Sequence, residues 1–173
     1  YIHMKLRPHQ AECAEAIHTT KGLLLRHDLG TGKTLTSIAM FESLAKKHPD
    51  IVAHVVVPAK LQENYKKELA MARVNENNYL IFSYDKYIKQ VRERGLEKVV
   101  LILDEGHVIR NAKTRKARIL KLVSERCFRV IIMTGTPLVN YPNDISTLIN
   151  MVNPQANLET DWSTFEAKYI KDR

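Results

Sequence analysis

The chain has 173 residues, 45% of them hydrophobic, with 27 Lys and Arg against 19 Asp and Glu and a net charge of +8. That length and apolar content argue against a disordered tail or a staple-dependent miniprotein and fit one domain with its own core. The positive balance is compatible with a polyanionic partner without requiring one, and Cys13 and Cys127 lack metal-ligand spacing, so both read as buried thiols rather than a disulfide framework.

In chain order, apolar runs of strand length alternate with longer segments of helical spacing. Gly22–Leu25, Ile51–Val57, Tyr79–Phe82, Val99–Leu103 and Val130–Met133 read as strands. Thr34–Lys47, Ala59–Ala72, Asp85–Arg94 and Thr114–Val123 read as helices, and Asp161–Ile170, with Trp162 and Phe165, as a further one. The alternation predicts an α/β fold of βαβ crossovers, a mainly parallel sheet with helices on both faces. Nearly all-apolar strands suit a sheet covered on both sides. The longest apolar run, Val99–Leu103, falls far short of the roughly 18 residues of a membrane span. No charged-then-apolar signal segment opens the chain, so the expectation is a soluble, intracellular protein with no membrane partner.

Open α/β sheets bind ligands beyond the carboxyl ends of their strands, and the polar clusters of this chain fall there. After the first strand comes His27-Asp28-Leu29-Gly30-Thr31-Gly32-Lys33-Thr34, leading into a helix. Gly30 and Gly32 permit backbone angles and a close approach that let amides surround a phosphate. The helix start adds its positive end. Lys33 is placed to reach the β- and γ-phosphates and Thr34 to hold Mg²⁺. His27 stands where the strict eight-residue pattern begins with Gly. The strand Val99–Leu103 ends in Asp104-Glu105. Asp104 suits Mg²⁺ through its water shell, and Glu105 suits the orientation of an attacking water, the kind of positioning that phosphoryl transfer needs.

Together with Gly106-His107, these segments resemble motifs I and II of superfamily 2 helicases, and the resemblance runs along nearly the whole chain. Leu6-Arg7-Pro8-His9-Gln10 is similar to the element that reads adenine. Val56-Val57-Pro58-Ala59-Lys60-Leu61 with Asn64-Tyr65 is similar to motif Ia in its Swi/Snf-type form, where Trp is usual at Tyr65. Ser83-Tyr84-Asp85 resembles motif Ib, Met133-Thr134-Gly135-Thr136-Pro137 resembles motif III, and Ile149-Asn150 to Asn153-Pro154 matches the tail that follows it. The whole resembles the first RecA-like lobe of a Swi/Snf-like ATPase, and His27-Asp28 before the glycines is similar to helicase-like NTPases of large DNA viruses.

The resemblance implies a RecA-like P-loop domain over residues 1–173, with ATP and Mg²⁺ as cofactors and a second RecA-like lobe in the parent chain. It implies that Gln10, flanked by Arg7, hydrogen-bonds adenine, and that His107, Thr134 and Thr136 couple the nucleotide to bound nucleic acid. From the residues alone, Gln10 can also be read as an early-helix glutamine, His107 as a surface histidine, and Thr134-Gly135-Thr136-Pro137 as a turn. Pro58, Lys60, Ser83, Tyr84 and Arg110 are the expected contacts to phosphates, which position without reading sequence. The basic run Arg110–Lys121 extends that surface or is a solvated helix face. Aromatics are 7% of the chain with one Trp, so backbone tracking along duplex DNA fits better than base stacking. The expected activity is a DNA-dependent ATPase whose isolated lobe is nearly inactive, because arginine fingers come from the second lobe. The expected location is the nucleus, or a cytoplasmic factory or virion for a viral protein. Alternatives are an RNA helicase lobe and a nucleotide-responsive module that recruits partners with little turnover.

Overall fold

The computed structural model describes residues 6–26, 32–92, 94–104, 114–134, 151–152 and 170–172. Five helices, α1 (Pro8–Ala16), α2 (Lys33–Lys47), α3 (Gln62–Ala72), α4 (Tyr84–Gln90) and α5 (Arg115–Arg126), accompany six strands among these residues. The strands are β1 (Gly22–Arg26), β2 (Val52–Val56), β3 (Tyr79–Phe82), β4 (Val99–Asp104), β5 (Arg129–Thr134) and β6 (Ile170–Asp172). They form one sheet in the order β3-β2-β4-β5-β1-β6, and every pairing is parallel.

Period-two alternation sorts the strand side chains between two cores. Leu23 and Leu25 of β1, Ala53 and Val55 of β2, Val100 and Ile102 of β4, and Ile131 and Met133 of β5 meet Ile38, Phe41, Leu44, Tyr65 and Leu69 on one face. Leu24, Val56, Leu101, Leu103, Val130 and Ile132 meet Tyr84, Tyr87, Ala117, Leu120 and Val123 on the other. Helices α1, α2 and α3 therefore cover one face and α4 and α5 the opposite one, as the alternation predicts. Both cysteines are buried free thiols, and burial pushes the Cys127 thiol up to about 12.

Three sequence expectations need revision. The helix expected over Asp85–Arg94 stops at Gln90, where Val91 turns extended (ψ 137°) so that the chain can reach Gly95, at φ +80°, before β4. The helix expected over Ala59–Ala72 opens as a 3-10 turn, Ala59–Leu61, before α3 begins. Ile170, expected at a helix end, is instead the first residue of β6 and pairs with Leu24. The open edge of β1 carries unpaired backbone groups that a strand satisfies and a helix does not. The remainder of Asp161–Ile170, with Trp162 and Phe165, lies outside the described residues. Helix α1 is an element the apolar periodicity does not reveal, since only Cys13 and Ala14 among its apolar residues are buried. It is held from below by Arg129, which donates to the carbonyls of Ile17 (2.9 Å) and His18 (3.2 Å). Among the described residues no helix is long and apolar enough to cross a membrane.

Candidate functional site

The strand order places the chemistry. β1, which leads to the segment expected to hold phosphate, and β4, which ends in Asp104, flank β5, and all three carboxyl ends share one edge. Gly32 caps α2 with φ +82°, a left-handed conformation that glycine adopts without strain. A Cβ there would also lie 2.8 Å from the Gln10 carboxamide nitrogen. The Gly32 carbonyl accepts from three donors: the Thr36 amide (2.9 Å), the Thr36 hydroxyl (2.7 Å) and Gln10 Nε2 (3.0 Å). Gln10 Oε1 accepts from the Arg7 amide at 2.9 Å, so one side chain ties the start of α1 to the start of α2. The intrahelical ladder of α2 begins at Thr36, which leaves the amides of its first turn directed out of the helix head, where the dipole is positive.

Lys33 and Asp104 meet across this edge, Nζ to Oδ1 3.5 Å, with side chains only 9% and 5% exposed. Thr34 is buried beside Lys33. Behind it, the Ser37 hydroxyl lies 2.7 Å from the Thr34 carbonyl, to which it donates. The oxygen donors present, one hydroxyl on Thr34 and one carboxylate on Asp104, suit Mg²⁺, which keeps most of its water and arrives with phosphates rather than in an all-protein cage. The residues fit that ion.

β5 ends at Thr134, buried between β1 and β4: Arg26 of β1 is its backbone partner on one side, and Asp104 of β4 faces the preceding Met133 on the other. The position expected to couple nucleotide to nucleic acid thus lies at the same sheet edge as Asp104. Asp28, Leu29, Gly30, Thr31, Glu105, His107, Arg110 and Thr136 lie outside the described residues.

The expected nucleic-acid contacts divide. Pro58 and Lys60 stand at and in the 3-10 turn after β2, with Lys60 exposed. Ser83 is the N-cap of α4 and its hydroxyl accepts from the Lys86 amide at 3.3 Å. Tyr84 does not fit the expectation. Its ring is 6% exposed and its hydroxyl donates 2.8 Å to the Asp104 backbone carbonyl, so it faces the core and the nucleotide edge instead of solvent. On α5, Ala117, Leu120 and Val123 form the buried stripe and Arg115, Arg118 and Lys121 are exposed. Lys116 is engaged with Asp85 at 3.2 Å.

Sequence reasoning passed over two polar side chains that the fold turns inward, Ser37 and His54. Ser37 sits in the middle of α2 and shares a hydrogen bond with Tyr65 at 2.8 Å. His54, inside the apolar run of β2, lies 2.9 Å from the Tyr87 hydroxyl, and burial lowers its pKa. A cavity of about 330 Å³ next to it, lined by Phe82, Tyr87, Val91 and Leu96, lies beneath α4. The signal that was available was a polar residue at a position the helix or strand period assigns to the core.

Residues 63–172 match the family described as SNF2-related domain, and residues 3–73 match the res subunit of type III restriction enzyme. The chain is similar to a protein of Acanthamoeba polyphaga mimivirus named as a candidate ATP-dependent RNA helicase, with 28% identity over 96% of this chain and 37% of that protein. It is similar to the DNA repair and recombination protein RAD54B of Gallus gallus, with 28% identity over 100% of this chain and 23% of that protein. The solved SWI2/SNF2 ATPase core of Sulfolobus solfataricus in complex with dsDNA superposes with a TM-score of 0.78 at 21% identity, over 99% of this chain and 45% of that one. That likeness establishes the RecA-like fold. The chain spans less than half the length of each of these relatives.

Proposed function

Because this chain belongs to the SNF2-related domain family, we propose that it is the ATP-binding lobe of a DNA-dependent ATPase that moves along duplex DNA. The observation that carries the reading is the buried Lys33–Asp104 pair at the head of α2. An ammonium and a carboxylate held together at the open ends of parallel strands suit a phosphate and its metal: Lys33 would bind the phosphate oxygens and Asp104 would hold the ion. Thr34 and Asp104 would hold Mg²⁺, which supplies charge neutralisation on the phosphates. Gln10, flanked by Arg7, would read adenine, and Glu105 would orient the attacking water. Pro58, Lys60, Ser83 and Arg110 would contact the nucleic-acid backbone.

Duplex DNA is favoured because the archaeal structural relative is described in complex with dsDNA and RAD54B is named for DNA repair and recombination. The mimivirus relative, named for an RNA helicase, supports a second reading in which the polymer is RNA. In either case the lobe alone should turn ATP over slowly, because the transition-state arginines of such motors come from a second lobe.

The deciding experiment is ATP hydrolysis by the full-length protein with no nucleic acid, with duplex DNA and with structured RNA, beside Lys33→Ala. Stimulation by duplex that disappears in Lys33→Ala supports the translocase reading. Stimulation by RNA alone moves the assignment to an RNA motor. Nucleotide binding with no stimulation by either polymer rejects the motor and favours a recruiting module.

A further inference from the structure

Two buried tyrosines reach the nucleotide edge from opposite faces of the sheet. Tyr65 on α3 is 1% exposed, and its hydroxyl lies 2.8 Å from Ser37 Oγ. Ser37 Oγ in turn donates to the Thr34 carbonyl at 2.7 Å. Tyr84 on α4 donates to the Asp104 carbonyl at 2.8 Å. The two oxygen donors offered to a metal are therefore each anchored at their own backbone carbonyl by a tyrosine, Thr34 through Ser37 to Tyr65 and Asp104 directly by Tyr84. The anchoring differs from ordinary core packing in its targets. Tyr79, also buried, donates to the Glu42 carboxylate at 2.7 Å, away from the site.

We propose that Tyr65 and Tyr84 are positioning residues for the metal–nucleotide complex, fixing the backbone at Thr34 and Asp104 so that hydroxyl and carboxylate would present fixed oxygens to Mg²⁺ and its water shell. Magnesium demands near-ideal octahedral geometry and short bonds, so a few tenths of an ångström of freedom in either backbone weakens the site. Groups that orient metal ligands from behind commonly alter metal affinity by about 10- to 100-fold. Here the effect passes through the backbone, and single buried hydrogen bonds correspond to roughly a few-fold to tenfold. Both tyrosines also sit next to the segments expected at nucleic acid: α3 follows the Pro58–Lys60 turn, and Ser83 precedes Tyr84. The inference rests on the nucleotide-site reading above.

The test uses the full-length protein and a fluorescent ATP analogue, titrated with Mg²⁺ by fluorescence anisotropy. Compared are the wild type, Tyr65→Phe, Tyr84→Phe, Ser37→Ala and the control Tyr79→Phe; each Phe keeps the ring and removes only the hydroxyl. Thermal unfolding of each variant is recorded in parallel. Tyr65→Phe and Tyr84→Phe should raise the Mg²⁺ concentration for half-maximal binding by about threefold to tenfold. Ser37→Ala should match Tyr65→Phe, and Tyr79→Phe should lower the unfolding temperature without moving the Mg²⁺ midpoint. Midpoints within twofold of wild type in both tyrosine variants, or an equal shift in Tyr79→Phe, overturn the inference and reduce the hydroxyls to general stability. Failure of the underlying reading is distinct: the wild type would then bind no nucleotide, or Lys33→Ala would bind it as well as the wild type.

Discussion

Gln10 donates from Nε2 to the Gly32 carbonyl at 3.0 Å while its Oε1 accepts from the Arg7 amide at 2.9 Å. A carboxamide has two N–H donors and two acceptor lone pairs, so one of each is committed within the protein and one of each remains for a planar base edge. The residue expected to read adenine is thus also a brace for the phosphate segment, and the two roles are compatible.

Gln10→Ala should therefore weaken two properties together. Loss of both buried hydrogen bonds should lower stability by about 1–3 kcal/mol, measured by chemical unfolding without nucleotide. Binding of an ATP analogue should fall as well. A variant that loses nucleotide affinity at unchanged stability would show that the brace contributes nothing.

Gly32→Ala meets two obstacles, a φ of +82° and a Cβ position 2.8 Å from Gln10 Nε2. The left-handed backbone alone costs about 1–2 kcal/mol for an L-residue, and moving Gln10 aside breaks both of its bonds. The expected outcome is a loss exceeding that of Gln10→Ala, together with loss of nucleotide binding. Stability equal to wild type would contradict the geometry at the head of α2.

The Lys33–Asp104 pair allows a double-mutant cycle. Lys33→Met leaves a carboxylate buried without its ammonium, and breaking a buried pair from one side costs about 3–5 kcal/mol. Lys33→Met with Asp104→Leu should be less destabilising than the sum of the single changes. Additive single effects would mean that the two charges do not stabilise each other. Neither single variant nor the double should hydrolyse ATP.

Burial lowers the His54 pKa below its ordinary 6.5, so the folded protein resists a proton that the unfolded chain accepts. The stability this neutral imidazole contributes is fully present above pH 6.5 and is lost as the pH falls through 6.5 toward the folded value. The unfolding temperature should drop between about pH 7.5 and pH 5.5, and His54→Gln should flatten that slope. His18, whose pKa is lowered by burial and by Lys47, adds a contribution of the same sign. An unchanged slope in His54→Gln would assign the pH dependence elsewhere.

Lys60, exposed in the turn after β2, tests the nucleic-acid side of the proposal. Lys60→Ala should weaken duplex binding and make the slope of log affinity against log salt shallower by about 0.9 if it neutralises one phosphate. Equal slopes in the two proteins would remove Lys60 from the interface.

Much of this protein was legible from its sequence because the information is local. Strand-length apolar runs and helical spacing mark the parallel α/β fold, with β3 found at its expected bounds, Tyr79–Phe82. Lys33, Thr34 and Asp104 stand out as candidates by residue type and by their place after a strand, since few side chains suit phosphate and metal chemistry there. The tertiary structure decided what depends on which elements become neighbours. Burial of a hydroxyl, and the carbonyl it finds, follow from helix packing between residues far apart in the chain, so Tyr84, read as a surface contact, instead donates to Asp104. The same reason hides the Tyr65–Ser37 bond and the neutral His54. It also explains Ile170, whose strand pairing is set by the open edge of β1 and not by its neighbours in sequence. Local pattern determined which residues are candidates for the chemistry, and long-range packing determined what holds them in place.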